Sequence, residues 1–265
     1  MAKEIPAKRM TGQMRRGEGE RLLTGASTTE TSARGGGNQS RHDRRHQRHQ
    51  RTATGEPFTL PQWSVDLFVR PVLHTFFKVA WRLDLCGLEN IPPPADGGLI
   101  IAANHQTYID PFWISAPIKR PLRYLAWSEA FNWPVVGPAI SLLGAWPLQI
   151  EGRDPSGVRR AIQYLREGGA VMIFPEGGRC EESGTMADFK CGAARMALEA
   201  GVPILPVTIR GGERVWPRGW RWPRLGRVQI IFHPLQKPAQ HPDEDVRHAA
   251  RRENAALIEK IKSAV

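Results

Sequence analysis

The chain has 265 residues, 41% hydrophobic, 24% charged and 8% aromatic, enough for one large domain or two small ones around a buried core. Thirty-seven Lys+Arg against 26 Asp+Glu give a formal charge of +11, a balance that favours an anionic partner such as nucleic acid, a membrane or an acidic protein. Cys86, Cys180 and Cys191 are the three cysteines and form no C-x-x-C pair, which excludes a disulfide scaffold and gives no support to a structural zinc site.

Residues 1–55 carry 12 Lys+Arg and five Asp+Glu, a net charge of +7 that leaves +4 for residues 56–265. They hold a Gly35-Gly36-Gly37 run and almost no apolar periodicity. Such a segment cannot bury enough surface to offset its ordering entropy, so a disordered basic tail is expected there. No apolar stretch follows Arg15-Arg16, so neither a secretory nor a twin-arginine signal is expected. Residues 60–81 are the most apolar stretch, yet Asp66, Arg70 and Lys78 interrupt it, and a spanning helix needs roughly 20 mostly apolar residues. Its Trp63, Leu67, Phe68, Val72, Leu73, Phe76, Phe77 and Trp81 alternate with Arg70, Lys78 and Arg82. Two readings fit: a helix lying in a membrane interface, or an amphipathic helix packed on the domain.

Beyond Leu85 strand and helix signals alternate. Gly98–Ala103 and Ala170–Phe174 are short apolar runs suited to buried strands. Asp110-Pro111 predicts a helix start, with Asp at the cap and Pro at the first position. Ser156–Leu165 reads as a helix stopping near Gly168, and Lys190–Ala200 as one ending at Gly201. Val202–Val207 and Val228–Phe232 are further strands, and Asp243–Ala264 is a closing amphipathic helix. The pattern predicts an α/β fold: a mixed, partly parallel central sheet flanked by helices, preceded by the interfacial amphipathic helix. The division is a tail over 1–55 and one domain over 56–265.

In open α/β sheets ligands collect beyond the carboxyl ends of the strands. Two predicted strands end in polar sequence there, Asn104-His105-Gln106-Thr107-Tyr108-Ile109-Asp110 and Pro175-Glu176-Gly177-Gly178-Arg179. His105 and Asp110 would stand about 140° apart on a continuous helix, but Pro111 disfavours a helical Asp110, and a loop can fold back to join them. A carboxylate on one imidazole nitrogen leaves the other free as a general base; alternatively Asp110 caps a helix and His105 is a satisfied loop residue. Gly177-Gly178-Arg179 reads as an anion clamp of backbone amides and a guanidinium, or as a tight turn with a surface arginine. Neither a G-x-x-x-x-G-K-[ST] loop nor a G-x-S-x-G elbow occurs. Without a nucleophile, the simplest chemistry is attack by a substrate hydroxyl that the histidine deprotonates.

Asn104-His105-x-x-x-x-Asp110, Phe174-Pro175-Glu176-Gly177-Gly178-Arg179 and Val202-Pro203-Ile204-Leu205-Pro206-Val207 resemble, in order and spacing, the blocks of the glycerolipid acyltransferase family typified by 1-acyl-sn-glycerol-3-phosphate acyltransferases. Gly87–Pro92, Phe189-Lys190 and Gly192-Ala193-Ala194 also fit. The resemblance covers roughly residues 63–235. It implies a membrane enzyme, peripheral or monotopic and expected on the cytoplasmic face, moving an acyl chain from a coenzyme A or acyl-carrier-protein thioester to a lysophospholipid hydroxyl. It implies His105 as base and Asp110 as its orienting partner. Glu176, Gly177, Gly178 and Arg179 would hold the acceptor phosphate, and Pro203 and Pro206 would lie in the block assigned to acyl or donor binding. No cofactor beyond the acyl donor, no metal and no nucleic acid are implied. The chain departs from the family pattern at Gly178 and Cys180, where Thr and Ser are usual. It departs again at Ile150, where an arginine is common; Arg153 is the nearest arginine and the candidate substitute.

Between Arg210 and Arg227, Trp216, Trp220 and Trp222 stand among Arg214, Arg218, Arg221 and Arg224. Three readings fit: contact with a membrane interface, stacking on single-stranded nucleic acid, or a structural loop with cation–π pairs. At the level of function the same chemistry on another lysolipid or acyl-amino lipid is the near alternative. A non-catalytic membrane- or nucleic-acid-binding protein is the distant one.

Overall fold

β2 (Leu99–Ala103) consists of Leu, Ile and Ala, and all five residues are buried. A strand apolar on both faces belongs at the centre of a parallel sheet covered by helices on each side. A computed structural model describes residues 70–132, 137, 140, 141, 144–148, 155–180 and 185–265. There β2 lies between β5 (Ala170–Ile173) and β6 (Ile204–Arg210), parallel to both, with Ile101 opposite Met172 on one side and Leu205 on the other. With β1 (Asp84–Cys86), β3 (Leu122–Trp127), β4 (Ala145–Leu148) and β7 (Gln229–Phe232), the order across the sheet is β1-β7-β6-β2-β5-β3-β4. Every pairing is parallel except β6 with β7. The sheet is therefore mixed and mostly parallel, as the alternation of strand and helix signals predicts.

Side chains alternate across β2 into two apolar layers. Leu99, Ile101 and Ala103 join Phe77 and Trp81 of α1 (Arg70–Trp81) and Trp113 and Ile114 of α2 (Asp110–Ser115). Ile100 and Ala102 join Ala161 and Leu165 of α3 (Pro155–Arg166), with Ala193 and Met196 of α4 (Gly192–Ala200). After the single turn α5 (Gly212–Val215), helix α6 (Val246–Lys262) adds Leu257 and Ile261 to this second layer. Each fully buried Leu, Ile or Met contributes about 1.5–3 kcal/mol. The amino edge of the sheet is closed by Arg120, whose buried guanidinium donates to the carbonyls of Gly97 and Gly168. Polar loops occupy the carboxyl edge.

Several element boundaries differ from expectation. α4 starts at Gly192 rather than Lys190, and α6 at Val246 rather than Asp243, because Asp245 caps it by accepting from the amides of Arg247 and His248. The stops fall where glycine predicts them: Gly201 closes α4 at φ 70°, in the left-handed region. α1 packs on the domain, as one reading of its sequence expects, with Phe77 and Trp81 buried in the core, while Val72, Phe76 and Val79 stay exposed. Trp63, Leu67 and Phe68, like the basic tail over 1–55, lie outside the described residues. Among the described residues no helix is long and apolar enough to cross a membrane.

Candidate active site

The loops that follow β2, β5 and β6 meet because these three parallel strands are neighbours ending at one edge. Asn104, fully buried, continues the β2–β6 ladder with its side chain: its Oδ1 accepts from the Ile209 amide at 2.7 Å and its Nδ2 donates to the Ile209 carbonyl at 3.0 Å. Gln106 Oε1 accepts from the Gly212 amide at 2.9 Å. A Cβ at Gly212 would lie 2.7 Å from that same oxygen, so a side chain there would displace the Gln106 amide. These two amides fix both ends of a short segment, and His105 stands between them.

The carboxylate of Asp110 organises that segment. Oδ2 accepts from the amides of Gln106 at 2.6 Å and Thr107 at 2.8 Å, and Oδ1 from the Thr107 hydroxyl at 2.7 Å. His105 Nδ1 lies 2.9 Å from Oδ2. An ionised carboxylate only accepts, so Nδ1 carries the proton and the Nε2 lone pair is unprotonated in the neutral ring. The imidazole stacks on Phe174, with ring centroids 4.0 Å apart, and its side chain keeps 18% exposure. Asp110 does not cap α2 as expected. It is that helix's first residue, follows Ile109 at the cap position, and turns its oxygens back onto the preceding loop.

The loop after β5 is built onto the same segment. Phe174 to Gly177 is a tight turn, closed by the Gly177 amide on the Phe174 carbonyl at 3.0 Å, with Gly177 at φ 72° where a side chain would be strained. The buried Glu176 spends both oxygens on backbone, Oε1 accepting from the His105 amide at 2.7 Å and Oε2 from the Ala187 amide at 2.9 Å. Burial pushes its carboxyl pKa up, against the opposing pull of these two amides. Grouped with the anion-binding residues in sequence, Glu176 is here a brace between loops. Four residues on, the Cys180 amide donates to the His105 carbonyl at 2.7 Å. Burial pushes the Cys180 thiol up to about 11, leaving it a protonated thiol and a poor nucleophile. The Arg179 guanidinium lies over the ring of Tyr108, 3.8 Å from its centroid, and Tyr108 meets Trp216 edge-on at 5.5 Å. Gly178 is exposed with open space where a Cβ would stand, so the usual threonine would fit.

His105, Asp110, Glu176, Gly177 and Arg179 thus share one edge of the sheet. Pro203 and Pro206 do not join them. Pro203 stands at the amino end of β6, where its carbonyl accepts from the Ile100 amide at 3.1 Å, and the two ends of a seven-residue strand are on the order of 20 Å apart. Pro206 is buried within the sheet opposite Ala102. Ile150 and Arg153 lie outside the described residues. Among the described residues no group of three or more His, Cys, Asp or Glu could hold a metal ion. Sequence reasoning missed the bracing by Asn104, Gln106 and Thr107; the available signal was a run of amide and hydroxyl side chains directly after a fully apolar strand.

The Acyltransferase family model matches residues 82–210, which include both loops after β2 and β5. Over 196 residues the chain is 30% identical to a chloroplastic 1-acyl-sn-glycerol-3-phosphate acyltransferase of Brassica napus, covering 68% of this chain and 54% of that one. Over 198 residues it is 30% identical to a 1-acyl-sn-glycerol-3-phosphate acyltransferase of Bacillus subtilis, covering 74% of this chain and 94% of that one. The chain spans about half the length of the plant and algal relatives it matches. It shares its fold with the crystal structure of a 1-acyl-sn-glycerophosphate acyltransferase from Thermotoga maritima, at a TM-score of 0.57 and 24% identity, over 77% of this chain and 83% of that one. With a bacterial relative matched over nearly its whole length at 30% identity, the chain belongs to the acyltransferase family.

Proposed function

We propose that the protein acylates the free hydroxyl of 1-acyl-sn-glycerol-3-phosphate to give phosphatidic acid, working at an anionic membrane surface as a peripheral or monotopic enzyme on the cytoplasmic face. The acyl donor is a thioester of coenzyme A or of acyl-carrier protein. The observation that carries this reading is the His105–Asp110 pair, with Nδ1 held at 2.9 Å by a carboxylate that three other donors also fix. Nε2 of His105 takes the acceptor's proton as the hydroxyl oxygen attacks the thioester carbonyl. The C–O bond forms, the C–S bond breaks, and the imidazolium returns the proton to the departing thiolate. Asp110 stabilises the imidazolium between these steps. Arg179, the guanidinium at the same edge, meets the acceptor phosphate. Glu176 positions both loops and touches no substrate. The names of the Brassica and Bacillus relatives support the choice of acceptor.

Ile150, standing where the family commonly has an arginine, favours a second reading in which the chemistry is the same and the acceptor is another lysolipid or an acyl-amino lipid. One experiment decides between them. Purified protein is incubated with a panel of lysolipids and both donor classes, and the products are identified by mass spectrometry. Phosphatidic acid is the expected product. His105→Ala is expected to lower turnover at least about 100-fold, the scale of a lost general base, while its melting temperature stays close to that of the unaltered protein. Full activity in that variant overturns the assignment of the base.

A further inference from the structure

The segment between β6 and β7 is rich in cations and indoles, and the acyl-transfer chemistry uses none of it. Six arginines and a single acid, Glu213, stand within residues 210–227. Pro217 and Pro223 keep it from forming a long helix, yet it is internally fastened. The Trp220 amide donates to the Pro217 carbonyl at 3.2 Å, the Arg224 amide to the Val215 carbonyl at 2.8 Å, and Trp216 Nε1 to the Trp220 carbonyl at 2.8 Å. On this braced frame Trp222 is 71% exposed and Leu225 82% exposed, and Trp220 is more than half exposed. A folded chain holds such side chains in water at a cost unless something covers them.

The loop forms part of a continuous belt. At one end Phe76 of α1, itself exposed, meets Trp81 edge-on at 5.4 Å, and Trp81 Nε1 donates to the Arg224 carbonyl at 2.8 Å. The Arg224 guanidinium lies 3.7 Å over the ring of Trp220, which is tied through its carbonyl to Trp216. Trp216 meets Tyr108, and Tyr108 carries Arg179. Contacts thus lead from exposed Phe76 of α1, through the buried Trp81, to the exposed indole and guanidinium of the loop and on to Arg179 of the candidate active site.

We infer that this belt, centred on residues 214–227, is a docking surface for a bilayer bearing anionic headgroups. It brings the edge carrying His105 and Arg179 against the lipid layer from which the acceptor comes. Indoles favour the headgroup region, arginines pair with lipid phosphates, and Leu225 and Val79 enter the acyl boundary. The charge fits, because each Lys or Arg near an anionic leaflet adds attraction. Single-stranded nucleic acid fits less well. Bases need open aromatic faces, whereas one face of Trp220 is already covered by Arg224, and exposed Leu225 and Val79 offer no stacking surface. The inference deepens the membrane reading of the enzyme by naming the surface used, and it rests on that reading only for its biological purpose, since it is tested without turnover.

The experiment uses the full chain with vesicles of phosphatidylcholine alone or mixed with phosphatidylglycerol, followed by amide hydrogen exchange and flotation. Amides within 214–227 are expected to exchange more slowly when the mixed vesicles are present. In flotation, Arg218→Glu/Arg221→Glu/Trp222→Ser is expected to lower the affinity for mixed vesicles by about tenfold or more, the scale of two reversed charges at an anionic surface. The same variant is expected to keep its turnover of a short-chain, water-soluble acceptor within about twofold, since none of the three residues belongs to the proposed base or phosphate site. Unchanged exchange over 214–227 in vesicle-bound protein overturns the inference. So does a variant that floats as well as the unaltered chain, a chain that binds no vesicle, or a single-stranded oligonucleotide that protects this segment where vesicles do not. If acyl transfer fails with every acceptor while 214–227 is still protected, the enzymatic reading falls and the docking surface stands.

Discussion

Four donors converge on the carboxylate of Asp110 and two on that of Glu176, and the two acids have different tasks. Asp110 holds the imidazole of His105, the proposed base, whereas Glu176 binds the amides of His105 and Ala187. Arg179, whose guanidinium lies over Tyr108, is proposed to meet the acceptor phosphate, and kinetics separates that role from the brace. Arg179→Ala is expected to raise the acceptor KM about 10- to 100-fold with a smaller change in kcat, as losing a charge-assisted contact of roughly 1.5–3 kcal/mol requires. Glu176→Ala leaves two backbone amides without acceptors, so kcat is expected to fall with little change in KM, and urea midpoints to drop by the equivalent of about 2 kcal/mol. A KM effect from Glu176→Ala equal to that of Arg179→Ala would return Glu176 to the phosphate site. The histidine–aspartate pairing was one of two readings open in the sequence, since a loop after an apolar strand can fold back. The expectation that Pro111 keeps Asp110 out of the helix fails, because Asp110 is the first residue of α2 and its side chain alone turns back. The role of Glu176 was not legible, because a carboxylate beside Gly-Gly-Arg looks like part of an anion site until its amide partners are known. One of those, Ala187, lies 11 residues downstream.

Among the elements, the long apolar or amphipathic ones were readable: β2, β5 and α3 stand where periodicity puts them, whereas α4 starts at Gly192 and β6 runs Ile204–Arg210, beyond the expected Val202–Val207. β1, β3 and β4 were not anticipated. They have three, six and four residues and lie at or near the sheet edges, so no long apolar run marks them. The start of α6 was expected at Asp243, but Asp245, two residues on, is an equally good cap. The structure divides the work of Glu244 and Asp245. Asp245 caps the helix, while Glu244 accepts from Arg252 at 2.9 Å and lies 3.0 Å from His248 Nδ1. The Arg252 guanidinium is the largest cause holding the Glu244 carboxyl down at about 2, well below the usual value of 4.5. A depressed carboxyl contributes stability above its unfolded value and loses it as pH falls through the folded one. Thermal unfolding of the unaltered chain and Glu244→Gln is therefore expected to differ at neutral pH and to converge as pH falls from about 4.5 toward 2. A gap that persists unchanged at pH 2 would assign the difference to packing.

For the whole molecule, the α/β class and the flanking helices followed from the alternation of strand and helix signals. The order of strands did not. That β2 separates β6 from β5 depends on pairings such as Leu99 with Ala170 and Ile100 with Ile204, between residues far apart in the chain, and nothing in the sequence marks that β7 turns antiparallel to β6. The meeting of the loops after β2 and β5 at one edge was conditional on strand direction until the registers showed it, and the part of the loop after β6 was not foreseen. All described residues belong to the compact unit Glu56–Val265. A chain starting at Glu56 is accordingly expected to melt within a few degrees of the full chain and to keep its acyl transfer, as a segment too polar to build a core predicts. Loss of cooperative unfolding on that truncation would mean that the basic segment contributes to the fold.

The amide of Cys180 donating to the carbonyl of His105 has a practical consequence for redesign. Exchanging the stretch after β5 for that of a homologue with another headgroup preference will tug on His105, the proposed base, through this bond. Donor and recipient sequences must therefore be swapped as a cassette, residues 104–110 together with 174–180, and grafts of either half alone should yield proteins that recognise a new lipid but process it slowly.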